Sequence, residues 1–144
     1  MNIIVINGPN LNMLGIREPD IYGKMTLDEM NEIIQKEAET LGINLEFYQS
    51  NHEGNIIDVI QKCYHRIDAI IINPGAYSHY SYAIRDAISS VRIPTIEVHL
   101  SDISSREYFR RTSVIEDVAE KQISGKGIAS YIEALHYLNA KSKG

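Results

Sequence analysis

Short β-branched runs alternate along the chain with stretches in which apolar residues recur every three or four positions. Residues 2–7 form an apolar run that closes on an amide, the pattern of a first strand. Thr26-Leu27-Asp28-Glu29 has the S/T-x-x-E form of a capping box. Behind it Leu27, Met30, Ile34, Ala38 and Leu41 recur at helical spacing until Gly42, which predicts a first long helix. Residues 43–49 alternate apolar and polar side chains as a second strand. Ile56, Ile60, Cys63 and Ile67 then make the inner stripe of the next helix and place Cys63 in the core. Residues 68–73 read as a central parallel strand buried on both faces, ended by Pro74-Gly75. A helix over 82–91, a strand over 94–100, a polar loop with a short helix over 101–111, a fifth strand over 121–125 and a helix over 128–138 complete the pattern.

Strands separated by crossover helices build a parallel sheet, and right-handed crossovers leave few ways to order it. The expected fold is α/β, a flavodoxin-like three-layer arrangement with a five-stranded parallel sheet of order 2-1-3-4-5. The 144 residues fit one domain, 1–144, long enough to hide roughly two thirds of the unfolded surface. No internal repeat, low-complexity segment or long linker interrupts them.

Composition narrows the function. With 14 Lys and Arg against 19 Asp and Glu, the net charge of −5 provides no basic stripe for a phosphate backbone, so nucleic acid is not an expected partner. The single cysteine, Cys63, cannot form an internal disulfide and no charged, apolar leader precedes the first strand, so a cytoplasmic setting is expected. No apolar run approaches the roughly 20 residues that span a bilayer, and no membrane partner is expected. Neither G-x-x-x-x-G-K-[ST] nor G-x-G-x-x-G follows the first strand, and no G-x-S-x-G elbow occurs. The histidines at 52, 65, 79, 99 and 136 lack metal-ligand spacing, so no metal is expected.

In open parallel sheets ligands bind beyond the carboxyl ends of the strands, where strand order reverses. Strand one runs there into Asn7-Gly8-Pro9-Asn10, strand three into Asn73-Pro74-Gly75, and strand four ends through Glu97, His99 and Ser101. Glu97 and His99 are two apart on a strand and share a face, so the carboxylate can orient the imidazole as a general acid requires. Ser101 to Ser105 precede a helical pattern whose free N–H groups suit a carboxylate, although Ser101 also fits a simple cap. Arg106 and Arg110 are four apart on the short helix expected there and so share a face; such a run is usually a solvated face, but this one borders the same rim. Asn73 and His79 fit either a turn or a binding loop, and Arg85-Asp86 an exposed pair.

Taken together, Asn7-Gly8-Pro9-Asn10-Leu11, Arg17-Glu18-Pro19 with Tyr22-Gly23, Ile72-Asn73-Pro74-Gly75-Ala76, His79 with Ala83-Ile84-Arg85-Asp86-Ala87, Glu97-Val98-His99, and Arg106-Glu107 with Phe109-Arg110 resemble type II 3-dehydroquinate dehydratases. The motifs run in order over nearly the whole chain. The resemblance implies a hydro-lyase of the shikimate pathway, leading to chorismate and aromatic amino acids, that reversibly removes water from 3-dehydroquinate to give 3-dehydroshikimate. It also implies no cofactor and a homododecamer built as a tetramer of trimers. By resemblance Tyr22 is the base that takes the proton beside the ketone, and Arg17 supports the tyrosinate, both on a loop similar to the family's mobile lid. His99 is the acid for the departing hydroxyl with Glu97 as orienting partner, and Asn10 holds a water near the enolate. Asn73, His79, Arg110 and the backbone at Leu100 and Ser101 bind substrate, while Asp86 reaches a neighbouring subunit's site. The chain departs from the family pattern at Tyr80, which adds bulk beside the binding histidine, and at Tyr82, where a small residue is common.

That chemistry needs an acid and a base on opposite parts of one ring. A free phenol with pKa about 10 is roughly a thousandfold under-ionised at pH 7, about 4 kcal/mol that its surroundings must offset, and a guanidinium five residues away is suited to this. Two other classes compete. A phosphate-controlled receiver-like module needs acidic residues at the end of strand one, and residues 7–12 contain none. A Schiff-base dehydratase needs a buried strand lysine, whereas Lys24, Lys36 and Lys62 fall in loop or helix patterns.

Overall fold

The computed structural model describes residues 1–16, 20 and 23–144. Five strands, β1 (Asn2–Asn7), β2 (Asn44–Gln49), β3 (Ala69–Asn73), β4 (Thr95–His99) and β5 (Lys121–Ser124), form one parallel sheet of order β2-β1-β3-β4-β5, as the crossover argument requires. Helices α1 (Leu27–Thr40) and α4 (Ala129–Lys143) cover one face, and α2 (Glu53–Lys62) and α3 (Tyr82–Val91) the other.

Alternate residues of each strand divide between the two layers, because successive side chains in a strand point to opposite faces. Ile3, Val5, Ile71, Ile96 and Val98 pack with Ile34, Tyr131 and Leu135, while Ile4, Ile6, Ile70 and Ile72 pack with Ile56, Ile60, Ile84 and Ile88. At about 1.5–3 kcal/mol for each isoleucine withdrawn from water, these two layers fix the sheet and so the positions of its carboxyl ends. The register aligns Asn7 with both Gln49 and Asn73, so the polar ends of three neighbouring strands lie at one level.

Local signals hold at the element ends. Thr26 Oγ1 accepts from the Glu29 N–H and Glu29 Oε1 accepts from the Thr26 N–H, the reciprocal bonds of the capping box. Gly42, at φ +70°, takes the left-handed turn after α1. Cys63 is buried, with its thiol pushed up by desolvation, but α2 ends one residue before it and the chain reverses through His65 at φ +62°. The inner stripe thus continues off the helix to buried Ile67.

Two expectations shift. The last helix runs to Lys143, five residues past the end of its apolar periodicity at Leu138. Lys141 and Lys143 suit the negative end of the helix, and Lys141 bonds Glu120, whose carboxyl it holds below the usual range. The short helix expected within 101–111 is instead two separate 3-10 turns, Ile103–Ser105 and Tyr108–Arg110, with Arg106 extended between them. Asp102 explains the break: its side chain accepts from the Ser104 N–H and hydroxyl, and its carbonyl accepts from the Ser105 hydroxyl, so these residues bond locally rather than to a helix ladder.

Under the carboxyl edge, Tyr131 on α4 donates its hydroxyl to Asn7 Oδ1 at 2.6 Å and accepts from Asn73 Nδ2 at 3.0 Å. Burial pushes this phenol far up, against a smaller opposing effect of the Asn73 bond. The folded state therefore holds the proton more tightly than the unfolded chain, so the associated stability is complete below pH about 10 and declines as pH rises above it. Tyr131→Phe is expected to lower the unfolding free energy in urea at pH 7 by about 1–3 kcal/mol, because Asn7 loses its buried donor. The same variant should also flatten the alkaline decline by up to about 1.4 kcal/mol per pH unit.

Candidate active site

The carboxyl edge opens into a cleft of about 650 Å³, including its mouth. Pro9 and Asn10 come from the loop after β1, Asn73, Gly75, Ala76 and His79 from the end of β3 and the turn beyond it, and His99, Leu100 and Ser101 from the end of β4. Arg106, between the two 3-10 turns, and Arg110, in the second, also line it, while Leu11, Leu14 and Ile103 supply an apolar part of the lining. The convergence of three strand ends expected from topology is therefore realised.

The loops that carry these groups are held by backbone geometry only small residues allow. The Gly8 N–H donates to the Asn73 carbonyl at 2.8 Å, and a Cβ added to Gly8 would lie 2.6 Å from the Pro74 carbonyl oxygen. Gly75 adopts φ +60° against Pro9. Asn10 itself stands at φ +70°, a region asparagine tolerates better than most residues, and its N–H donates to Asn51 Oδ1 at 3.0 Å. Asn51 is in turn held by Gln49 Nε2 and by the Tyr77 hydroxyl, which donates to the Asn51 carbonyl. The loop after β2 thus braces the loop after β1, a role without a local sequence signal.

His99 and Glu97 form the pair their spacing predicts. His99 Nε2 lies 2.5 Å from Glu97 Oε2, with Glu97 wholly buried and His99 only 5% exposed. With Nε2 turned to the carboxylate, Nδ1 is the ring nitrogen left for the cleft. Glu97 Oε2 also accepts the Ser113 hydroxyl at 2.7 Å. His79 Nδ1 lies 2.8 Å from the Thr112 carbonyl oxygen; a carbonyl only accepts, so Nδ1 carries a proton.

Other candidates fall differently. Asn73 lines the cleft, but its amide is engaged at both ends, Nδ2 on Tyr131 and Oδ1 by the Gly75 N–H at 3.1 Å, so one Nδ2 hydrogen remains for a ligand. Ser101 does not begin a helix: Asp102 caps a turn of only three residues, so the helix-terminus reading of a carboxylate site does not hold there. The shared-face argument for Arg106 and Arg110 fails with the helix it assumed, yet both reach the cleft, where Arg106 approaches the Ser101 hydroxyl at 3.4 Å and Arg110 bonds Glu107. Asp86 lies on the exposed side of α3 and is absent from the cleft lining, while Arg85 donates to the Val114 carbonyl at 2.8 Å. Arg17 and Tyr22 lie outside the described residues. Among those residues no group of three His, Cys, Asp or Glu side chains is gathered as a metal site. No helix among them is long and apolar enough to cross a membrane.

The sequence profile described as dehydroquinase class II matches residues 1–139. This chain belongs to the class II dehydroquinase family. It is 59% identical over 137 residues to a 3-dehydroquinate dehydratase of Caldicellulosiruptor bescii and 62% identical over 137 residues to that of Caldicellulosiruptor saccharolyticus, covering 94% of both chains in each case. A crystal structure of type II dehydroquinase from Butyrivibrio crossotus superposes with a TM-score of 0.95 at 54% identity, over 96% of this chain and 97% of that one. Membership in this family accounts for the order of the motifs along the sequence.

The approach of Gly8 to Pro74 gives a direct test of how the cleft is held. Gly8→Ala must push the ends of β1 and β3 apart, and a loss of about 1–3 kcal/mol of stability in urea is expected, together with weaker binding of the dehydroquinase substrate by calorimetry.

Proposed function

We propose that this chain is a 3-dehydroquinate dehydratase of type II, a hydro-lyase of the shikimate pathway that removes water from 3-dehydroquinate to give 3-dehydroshikimate. The observation that carries the reading is the family match over residues 1–139, joined to a cleft lined by His99, which buried Glu97 holds, together with Asn10 and two arginines. One domain, 1–144, carries the activity.

In the proposed reaction the Tyr22 phenolate takes a proton from the carbon beside the ketone, and the electron pair moves onto the ketone oxygen as an enolate. Arg17 keeps the phenol ionised, since an opposite charge at close range favours the charged form. The enolate is held by Asn10 through a water. It then collapses, a carbon–carbon double bond forms, and the bond to the neighbouring hydroxyl breaks while His99 Nδ1 gives its proton to that hydroxyl, which leaves as water. Glu97 balances the imidazolium before transfer and fixes the ring. The proton on Tyr22 returns to His99 through solvent, so the enzyme ends as it began and no external oxidant or reductant is consumed.

Arg110, His79, Asn73, Ser101 and the backbone at Leu100 hold the substrate carboxylate and ring hydroxyls. Their presence together in the cleft lining supports this: a guanidinium, the His79 imidazole and an amide hydrogen at Asn73 present polar ends to one space. The finer proposals are a cytoplasmic location and a homododecamer built as a tetramer of trimers, in which Asp86 reaches the cleft of a neighbouring copy. The exposure of Asp86, and of the aromatic rings of Tyr80 and Tyr82 beside it, fits a face covered by another subunit.

Turnover is followed by absorbance of the conjugated enone product. Tyr22→Phe and His99→Ala are each expected to lower kcat by roughly 10²–10⁴-fold with folding intact by circular dichroism; a Tyr22→Phe protein with near wild-type kcat rejects the base. Light scattering is expected to give twelve times the 16.3 kDa chain mass, and a smaller particle rejects the assembly.

A further inference from the structure

Glu97 is an unusually lopsided buried carboxylate. Oε2 takes both of its bonds, from His99 and from the Ser113 hydroxyl, while Oε1 is buried with no hydrogen-bond partner among the described residues. A carboxylate terminus turns about a broad, roughly two-fold torsion, so nothing intrinsic to Glu97 selects the plane in which it meets the imidazole. The selection has to come from a neighbour.

Ser113 is the neighbour equipped to do so. Its single hydroxyl hydrogen goes to Glu97, whose carboxylate only accepts, while its oxygen accepts the Ile115 N–H at 3.2 Å. Ile115 is wholly buried in the layer beneath α2 and α3, so the hydroxyl's orientation is tied to the core. The residue between them is fastened twice more, Val114 N–H to the Ser78 carbonyl at 2.7 Å and the Val114 carbonyl to Arg85 at 2.8 Å. Thr112, on the other side, meets His79. Ser113 is thus a fixed point in an otherwise polar loop, aimed at the acid pair from sixteen residues away.

We propose that Ser113 is a positioning residue for the general acid: it holds Glu97 Oε2 against His99 Nε2 and so keeps Nδ1 turned to the leaving hydroxyl. This rests on the dehydratase reading above, in which His99 is the acid. Ser113 is not among the residues that line the cleft, so its effect falls on the chemical step and spares binding. A hydrogen bond to a charged group is worth about 1.5–3 kcal/mol, which converts to a roughly ten- to hundredfold fall in kcat when the hydroxyl is removed.

The test compares Ser113→Ala with the near-isosteric pair Ser113→Thr and Ser113→Val, which differ in whether the branched side chain keeps its hydroxyl. Expected are a ten- to hundredfold loss of kcat in S113A and S113V, KM within about twofold of the parent, and recovery of most of kcat in S113T. A second readout needs no turnover: in imidazole proton–nitrogen spectra of the ligand-free protein, the His99 Nε2 proton should exchange with water faster in S113A and S113V than in S113T. A parent protein with no turnover would reject the dehydratase reading, and the exchange measurement would still decide the positioning. Overturning results are kcat within twofold of the parent in both hydroxyl-free variants, a KM that rises in step with the loss of kcat, unchanged Nε2 exchange, or unfolding of both S113A and S113V, which would make the hydroxyl purely structural.

Discussion

The cleft depends on a buried chain of three hydrogen-bonding groups, Asn7, Tyr131 and Asn73, lying under the carboxyl edge of the sheet. Two amides buried side by side at the ends of β1 and β3 would each forfeit about 1–3 kcal/mol if left unpaired. Tyr131 meets both at once, accepting from one and donating to the other, and it arrives from α4, at the far end of the chain. Strand ends that topology merely brings close are by this means fixed relative to one another. The loops beyond them inherit the precision: the Asn73 carbonyl accepts from Gly8, and Asn73 Oδ1 accepts from Gly75.

Much of this was legible in the residues. The order of the sheet follows from alternation of strand and helix patterns with right-handed crossovers, and the rim follows from the order. The Glu97–His99 contact needed only a period of two along one strand. What escaped is of two kinds. Arg106 and Arg110 are four apart, the signature of a helix face, but Asp102, Ser104 and Ser105 bond among themselves and break the segment into short turns, so local side-chain chemistry outweighed spacing. Ser113, Asn51 and Tyr131 act across sequence separations of 16, 41 and 124 residues, where no periodicity or motif connects them to their partners. Long-range polar contacts of this sort depend on how layers pack, which is settled only when the core has formed. The resemblance supplied the activity, yet it did not indicate how the Glu97–His99 pair or the asparagine loop is held.

The two faces of the sheet carry their polar groups differently at this one end. On the α1–α4 side the network is neutral and its principal bonds are mutual, which makes it a structural support. On the α2–α3 side sits a carboxylate with one oxygen bonded twice and the other with no partner among the described residues. A buried ion pair is weak evidence for stability, because desolvation of both charges opposes their attraction, and apolar side chains of similar volume often serve a fold as well or better. An arrangement that leaves a carboxylate oxygen orphaned is a poorer stabiliser still. Its sense is positional: a carboxylate shielded from water and committed through one oxygen to one imidazole nitrogen fixes the direction of the ring, which a solvated pair on the rim would not do.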